Sequence, residues 1–256
     1  MRELGARVND LNNLMRTGGY PALYSREVAS NDWYSSYVQT YVERDVHQLL
    51  NVKDLATFRT FLRLCAGRAG QLINLSDLGN DAGISHNTAK EWLSVLEASF
   101  IIVRLSPHHR NFSKRLIKTP KLYFIDTGVL CWLLGIRTDD QLAIHSMRGQ
   151  IFENFVLTEL MKTQLGRGEN PSLYFWRDSS QLEVDILIDV ADRLVPVEIK
   201  SGATLTSDQY AGLQRWMALA GTSTGYLVYA GDQPQQRGAI RAVPWRDVPD
   251  LALNVT

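Results

Sequence analysis

The chain has 256 residues, 45% of them hydrophobic and 21% charged, so it can bury a substantial core and is not expected to be disordered. Its 27 basic and 27 acidic residues exclude neither nucleic acid nor any other partner, and no apolar run is long enough to predict a transmembrane helix. The N-terminus lacks the apolar core of a signal peptide, and Cys65 and Cys131 lie in apolar stretches as in buried thiols, so we expect a cytoplasmic protein.

Residues 1–56 predict a helical segment. Trp33, Tyr37 and Tyr41 recur at the spacing of one helix face. GGYP at 18–21 predicts a turn between helices, because its two glycines permit unusual dihedral angles and Pro21 suits a helix start.

Residues 57–130 predict helix, helix, helix and then a hairpin. The first helix ends at Gly67, the second begins with Ser76 as its N-cap, and the third follows a turn at Gly83. FIIVRL and KLYFID follow as two strands. This order is typical of a winged helix-turn-helix domain.

A basic connection joins those two strands and would form the wing. Between Phe100 and Lys121 there are six basic residues and no acids, which predicts a local electropositive patch. The third helix would offer His86 and Glu91 to a partner as well. Our nucleic-acid-binding candidates on the helix and the wing are Asn87, Lys90, Arg110, Lys114, Arg115 and Lys118. A winged helix that contacts protein, or is purely structural, is the alternative.

Residues 131–256 predict an α/β layered domain. After a helical link, GQIFENFVLTELMKTQL (149–165) predicts an amphipathic helix. Strands are predicted at 173–176, 183–189 and 194–200, then a helix at 207–221, a strand at 225–230 and a short strand near AIRAVP. We expect Val184, Ile186 and Ile188 to face the core, and a five-residue turn at 189–193 to place Asp185 nearly opposite Val197 and Glu198.

Two carboxylates at that spacing repel each other unless a cation lies between them, and Mg²⁺ commonly takes one or two carboxylates with waters and a phosphate. Asp185, followed by Glu198-x-Lys200 on the next strand, resembles the PD-(D/E)XK nuclease superfamily. The resemblance implies that Asp185 and Glu198 bind Mg²⁺ or Mn²⁺ and that Glu153 completes the acidic set. Lys200 would then orient or deprotonate the attacking water and stabilise phosphate charge. A solvated strand face is the alternative, and VD stands here in place of PD.

A wider resemblance extends from about Gly18 to Ala230. It rests on GGYP (18–21), YVERDV (41–46), LSVLEASFIIVRLSP (93–107), NFSKRLIKTPKLYFIDTGVL (111–130), GQIFENFVLTEL (149–160), YFWRD (174–178), EVDILI (183–188) and PVEIKSG (196–202). In this order and spacing they resemble the C-terminal half of a prokaryotic family of predicted AAA-type ATPases of unknown function. The resemblance implies a helical lid (1–56), a winged helix with a basic wing (57–130) and a nuclease-like α/β domain (131–256).

No G-x-x-x-x-G-K-[ST] occurs, so no ATP site and no ATPase activity are expected from this chain. We therefore expect either a fragment or a shortened gene product. Two functions stay open, namely a divalent-metal-dependent nuclease acting on DNA and a non-catalytic module that binds nucleic acid or protein. The partners expected are DNA, and an ATPase domain or another protein, but no membrane.

Overall fold

The structure is a computed structural model that describes residues 10–26, 28–43, 54–109, 117–191 and 193–255. The chain is mixed α/β, as predicted, and divides into two units. The first unit holds the described residues up to Arg104 together with Lys121–Asn154, and the second holds Leu105–Pro120 and the chain from Phe155 onward. Within the described ranges, no helix has the length and apolar character needed to cross a bilayer.

The first unit begins with short helices around the GGYP turn. They are α1 (Leu11–Thr17), α2 (Ala22–Ser25) and α3 (Ser30–Tyr37), the last continuing as a π-helix over Val38–Glu43. Gly18 adopts a φ of 73°, a left-handed value that favours glycine. Pro21 precedes α2 directly, so the predicted turn and helix start are both confirmed.

Three longer helices and two strands follow. They are α4 (Leu55–Ala66), α5 (Leu75–Ala82), α6 (His86–Ala98), β1 (Ile102–Leu105) and β2 (Lys121–Phe124). Gly67 and Gly83 end α4 and α5 as predicted. The N-cap of α5 is Asn74 rather than Ser76, because the Asn74 side chain accepts hydrogen bonds from the backbone of Ser76 and Asp77.

Three further helices follow β2. They are α7 (Thr127–Leu133), α8 (Asp139–Ile144) and α9 (Arg148–Gly166). The chain passes from the first unit to the second within α9. The boundaries predicted at residues 56 and 130 do not coincide with this division, and the three-segment scheme stays a prediction.

A buried carboxylate links α7 to the GGYP turn. Asp126 caps α7 by accepting hydrogen bonds from the backbone of Gly128 and Val129, and its second oxygen accepts one from Gly19 N at 2.7 Å. The Tyr34 hydroxyl lies 2.7 Å from an Asp126 oxygen and 2.7 Å from the carbonyl of Thr17. The two segments GGYP and FIDTG, which are far apart in the sequence, are therefore in direct contact.

Two glycines make room for this arrangement. A Cβ on Gly18 would lie 2.4 Å from both Asp126 Oδ1 and the Tyr34 hydroxyl, and a Cβ on Gly128 would lie 2.0 Å from that hydroxyl. Both positions therefore require glycine for space, and Gly18 also requires it for its backbone conformation.

The second unit is built on a six-stranded sheet of order β3-β4-β5-β6-β8-β7. Strands β5, β6 and β8 are parallel to one another, and the other neighbours are antiparallel. The elements are β3 (Leu173–Arg177), β4 (Glu183–Val190), β5 (Arg193–Lys200), α10 (Ala211–Ala220), β6 (Gly225–Tyr229), β7 (Gln235–Arg237), β8 (Ile240–Pro244) and α11 (Val248–Val255). Short 3-10 turns at Ser207–Tyr210 and Trp245–Asp247 precede α10 and α11. Five of the six strands were predicted, and β7 was missed.

Helix α10 covers one face of this sheet. Trp216 packs edge-on against Trp176 at 6.2 Å between ring centroids, within a buried cluster that includes Leu187, Leu213 and Leu227. On β4, however, Val184, Ile186, Leu187 and Ile188 are all buried. The prediction that one side of β4 faces the core was too narrow, because both sides of this strand are covered.

Candidate metal and nucleic-acid sites

The β4–β5 hairpin is tighter than predicted. Ile186 pairs with Val197, and pairing continues to Val190 with Arg193, which leaves two residues in the turn instead of five. The pairing partners are therefore offset by one from those of the predicted turn. Extended one step further, this register places Asp185 opposite Glu198, one of the two residues predicted to lie there.

Asp185 lies in a β-bulge of β4. Tyr174 of β3 pairs with Leu187 and Trp176 pairs with Val184, so Asp185 and Ile186 together face Phe175 alone. Bulges bend a strand and redirect a side chain, and they are frequent beside active sites. Simple alternation along β4 could not reveal this bulge.

The Asp185 carboxylate is bonded to β5. Its Oδ2 accepts a hydrogen bond from Ile199 N at 2.8 Å. From Val197 onward β5 pairs with β6 on its other side, with Glu198 opposite Leu227 and Lys200 opposite Tyr229. Asp185 is thus attached to the backbone of the one residue that lies between Glu198 and Lys200.

Glu198 and Lys200 form an ion pair. Lys200 Nζ lies 2.7 Å from Glu198 Oε1, and the Glu198 side chain is 12% exposed. The structure therefore brings three of the four predicted catalytic residues together at the end of one hairpin. Within the described ranges, no group of three or more His, Cys, Asp or Glu side chains is arranged to hold a metal ion. Asp185 and Glu198 offer two carboxylates, a number that Mg²⁺ commonly uses.

Asp208 is an acid that sequence reasoning missed near this site. The hydrogen bond from Thr206 is the main cause that lowers the pKa of Asp208, and the charge of Lys200 lowers this pKa further. A carboxylate eight residues after a strand, in a 3-10 turn, gives no signal by spacing alone.

Glu153 belongs to the first unit, where its carboxylate has two local partners. Lys121 Nζ lies 3.1 Å from Glu153 Oε1, and the Tyr123 hydroxyl donates to the same oxygen. The Lys121 side chain is only 4% exposed, so this is a largely buried ion pair, and removing one partner would leave an uncompensated charge. The role of Glu153 in an acidic metal site stays a prediction.

The predicted electropositive patch is smaller than the count of basic residues suggests. Lys121 is buried against Glu153, and Arg104 is paired with Glu97. Asn87 and Lys90 are exposed on α6, and Lys118 is exposed just before β2. Arg110, Lys114 and Arg115 lie outside the described residues.

The connection between β1 and β2 joins the second unit through the outer edge of β3. Phe175 N donates to Ser106 O at 3.1 Å, His108 N donates to Phe175 O at 2.7 Å, and Ile117 N donates to Arg177 O at 3.2 Å. His108 also lies 3.3 Å from Asp189 and edge-on to Tyr174. Both described ends of the predicted wing are therefore attached to the sheet, which the sequence did not indicate.

Comparison with known families divides the chain in two. Residues 8–140 match a domain of unknown function, DUF8612, which covers more than half of the chain. The chain belongs to the DUF8612 family. Residues 148–248 match a second domain of unknown function, DUF4143, which is often found in proteins associated with AAA ATPases.

Two curated relatives share both regions in part. Uncharacterized proteins of Mycobacterium bovis and Mycobacterium tuberculosis are each 32% identical over 208 residues, or 80% of this chain. The chain spans 45% of the length of each relative.

The two matched regions separate the candidate residues. The DUF8612 region contains Asn87, Lys90 and Lys118, whereas the DUF4143 region contains Glu153, Asp185, Glu198 and Lys200. The match also omits residues 141–147, which precede α9. Sequence family and folded unit thus differ, because Leu105–Pro120 lies in the DUF8612 match but folds with the second unit.

Proposed function

We propose that the second unit is a PD-(D/E)XK-type nuclease domain that cleaves DNA with Mg²⁺ or Mn²⁺ at Asp185, Glu198 and Lys200. The observation that carries this proposal is the bulge at Asp185, whose carboxylate bonds the backbone between Glu198 and Lys200. This contact holds one acid of β4 against the acid-x-lysine segment of β5 without any long loop.

The order of elements supports the same proposal. A long helix (α9) precedes three antiparallel strands, and α10 then leads to a fourth strand parallel to the third. This is the order that the resemblance to the superfamily implies. The sheet is covered on the face that carries Leu187 and Leu227, so Glu198 and Lys200 extend from a rigid strand.

The residues have separable roles in this mechanism. A divalent ion bound by Asp185 and Glu198 would lower the pKa of a bound water and polarise the scissile phosphate. The Ile199 N–H orients one Asp185 oxygen. Lys200 donates to Glu198 at 2.7 Å, and on substrate its ammonium group would instead stabilise the charge that develops on a phosphate oxygen.

We further propose that the first unit supplies DNA contacts. The order of elements, three helices (α4, α5 and α6) followed by two strands (β1 and β2), is that of a winged helix-turn-helix domain. In addition, Leu72 forms an isolated β-bridge with Lys121 of β2, as a short third strand would. Asn87 and Lys90 are exposed on the helix that such domains place in the DNA groove. Lys118 lies in the second unit. Independently of the first unit, it and, by sequence, Arg110, Lys114 and Arg115 would contact a phosphate backbone.

The test is metal binding and DNA cleavage by the full chain. We expect calorimetry to detect Mn²⁺ binding that Asp185→Asn abolishes, and we expect Lys200→Ala to retain Mn²⁺ while cleavage of DNA falls at least 100-fold. The matched control is Asp232→Asn, which changes an exposed aspartate paired with Arg246 in the same unit. Circular dichroism checks that each variant folds. Equal Mn²⁺ binding by wild type and Asp185→Asn, or equal cleavage by wild type and Lys200→Ala, would contradict the proposal.

A second candidate is a regulatory module that binds without cutting. The observation that favours it is the Lys200–Glu198 ion pair, because the lysine already balances the carboxylate that a metal would need. The DUF4143 match, often found with AAA ATPases, is consistent with such a role. In this case DNA retention should fall steeply with salt, and Lys90→Ala should reduce the salt slope by about 1 without any cleavage.

A further inference from the structure

Two adjoining clefts lie in the second unit, at the start of the parallel strands. The first has a volume of about 480 Å³ and lies between the β7–β8 hairpin and α11. The second has a volume of about 450 Å³ and lies at the start of β5 and the end of α10. Tyr226, Arg241 and Asn254 line both clefts, so the two form one continuous groove. Each volume is within the range of small-molecule sites.

The groove is separate from the Asp185 site. On β5 the groove is lined by Arg193–Val195, at the start of the strand, whereas Glu198 and Lys200 lie towards its other end. Three residues of strand separate Val195, the groove residue on β5 nearest to that site, from Glu198, or about 10 Å. Asp185, Glu198 and Lys200 line neither cleft, so a ligand in the groove does not require these three side chains.

The first cleft is mainly apolar and carries two acids. Pro234, Val243 and Leu251 contribute apolar surface, and Asp247 and Asp250 line the same space. The Tyr226 ring lies at the junction of the two clefts. A planar, uncharged group with N–H donors fits this part, because its ring can pack on apolar surface and its donors can meet carboxylates. The two carboxylates would repel an anionic group of the ligand from this cleft.

The second cleft is mainly polar and carries the opposite charge. Arg193 and Arg241 line it together with the hydroxyl-bearing residues Thr222, Ser223 and Thr224. The Thr222 hydroxyl oxygen is buried without a hydrogen-bond partner among the described residues. Such an atom is usually satisfied by a bound group or by water. Guanidinium groups beside hydroxyls are the side chains that bind phosphate.

Arg241 is the residue that joins the two halves. It lies on β8, between β6 and β7, and is in register with Tyr226 of β6 and Gln236 of β7. Among the described residues it has neither an ion pair nor a hydrogen bond from its side chain, and it is exposed.

From this polarity we infer that the groove binds a nucleotide, with the base in the cleft beside α11 and the phosphate between Arg193 and Arg241. The phosphate is the shared chemistry of a free mononucleotide and of a nucleic-acid end. Binding needs no metal, and it does not depend on the nuclease proposal.

The experiment is calorimetric titration of the full chain, in EDTA, with AMP, adenosine, inorganic phosphate and a 5′-phosphorylated oligonucleotide. We expect AMP to bind and Arg241→Ala to weaken AMP about tenfold or more, since a hydrogen bond to a charged group is lost. The affinity for adenosine, which lacks the phosphate, should differ less than about twofold between wild type and Arg241→Ala. The matched control is Arg215→Ala, an exposed arginine on α10 that lines neither cleft.

Each outcome decides the inference. Stronger binding of the oligonucleotide than of AMP, lost with Arg241→Ala, assigns the groove to a nucleic-acid end. Stronger binding of AMP assigns it to a free nucleotide. No binding of any nucleotide at millimolar concentration overturns the inference, and so does equal weakening by Arg241→Ala and Arg215→Ala. Asp185→Asn should leave AMP binding in EDTA unchanged, which keeps this test distinct from that of the nuclease site.

Discussion

Replacing Asp126 with alanine tests how the first unit holds its N-terminal helices. The side chain has three groups of donors, which are the backbone N–H groups that begin α7, the N–H of Gly19 and the Tyr34 hydroxyl. The first set is an N-cap, and its loss costs about 1 kcal/mol. The Gly19 N–H then lacks a partner in a partly buried position, which costs about 1–3 kcal/mol more.

The expected total for Asp126→Ala is a loss of about 2–4 kcal/mol in the free energy of unfolding. For a unit of this size the melting temperature should fall by about 10 °C. Thermal unfolding followed by circular dichroism measures this change. Asp140→Ala, which removes an exposed aspartate from the first turn of α8, should change stability by less than about 0.5 kcal/mol.

Asp126→Asn separates the cap from the turn. Asparagine retains one oxygen to cap α7, but its amide NH₂ would face the Gly19 N–H, donor against donor. We therefore expect a loss between those of wild type and alanine. A melting temperature for Asp126→Ala equal to that of Asp140→Ala would refute the reasoning, because the buried donors would then have found other partners.

Three further predictions concern single groups. Phe100 is 75% exposed and adopts a φ of 55° after α6, so Phe100→Gly should stabilise the chain by about 0.5–1 kcal/mol in urea unfolding. Ala98→Gly, at the last residue of α6, should destabilise it instead. Burial, and then the charge of Asp126, raises the pKa of Tyr34 above its ordinary value. The folded state therefore retains the Tyr34 proton longer than the unfolded state does, and stability should fall as pH rises above about 10, less steeply in Tyr34→Phe; parallel curves would contradict this. Burial also raises the pKa of the Cys65 and Cys131 thiols, so neither should react with a thiol reagent until the chain is unfolded, and fast labelling of the native protein would show otherwise.

The sequence predicted the helices and strands correctly where each one depends on a short local pattern. Hydrophobic periodicity located the strands around Asp185 and Glu198, and glycines marked the ends of α4 and α5. The spacing of Glu198-x-Lys200 places both side chains on one face of a strand, and in the structure they form an ion pair.

The rest depends on contacts between distant segments. The bulge at Asp185 requires the register of β3 against β4, and β3 has no local signal for it. The partners of Glu153 are Lys121 and Tyr123, some thirty residues away, and a lysine in a basic stretch gives no sign of being buried. Asp126 is linked to Tyr34 and Gly19 across 92 and 107 residues. Periodicity describes one element at a time, so it cannot supply such pairs.

The attachment of Ser106 and His108 to Phe175 has a consequence for the outer border of the sheet. An uncovered border strand invites another chain to pair with it and is a common origin of aggregation. Here the chain preceding β2 forms hydrogen bonds with the backbone of β3, while the opposite border, β7, is only three residues long, each of them exposed. A fragment that begins at residue 148, where the DUF4143 match starts, would strip this cover and leave β3 open. We then expect copies of such a fragment to pair through β3 and aggregate. A fragment intended for expression should therefore begin upstream of β1.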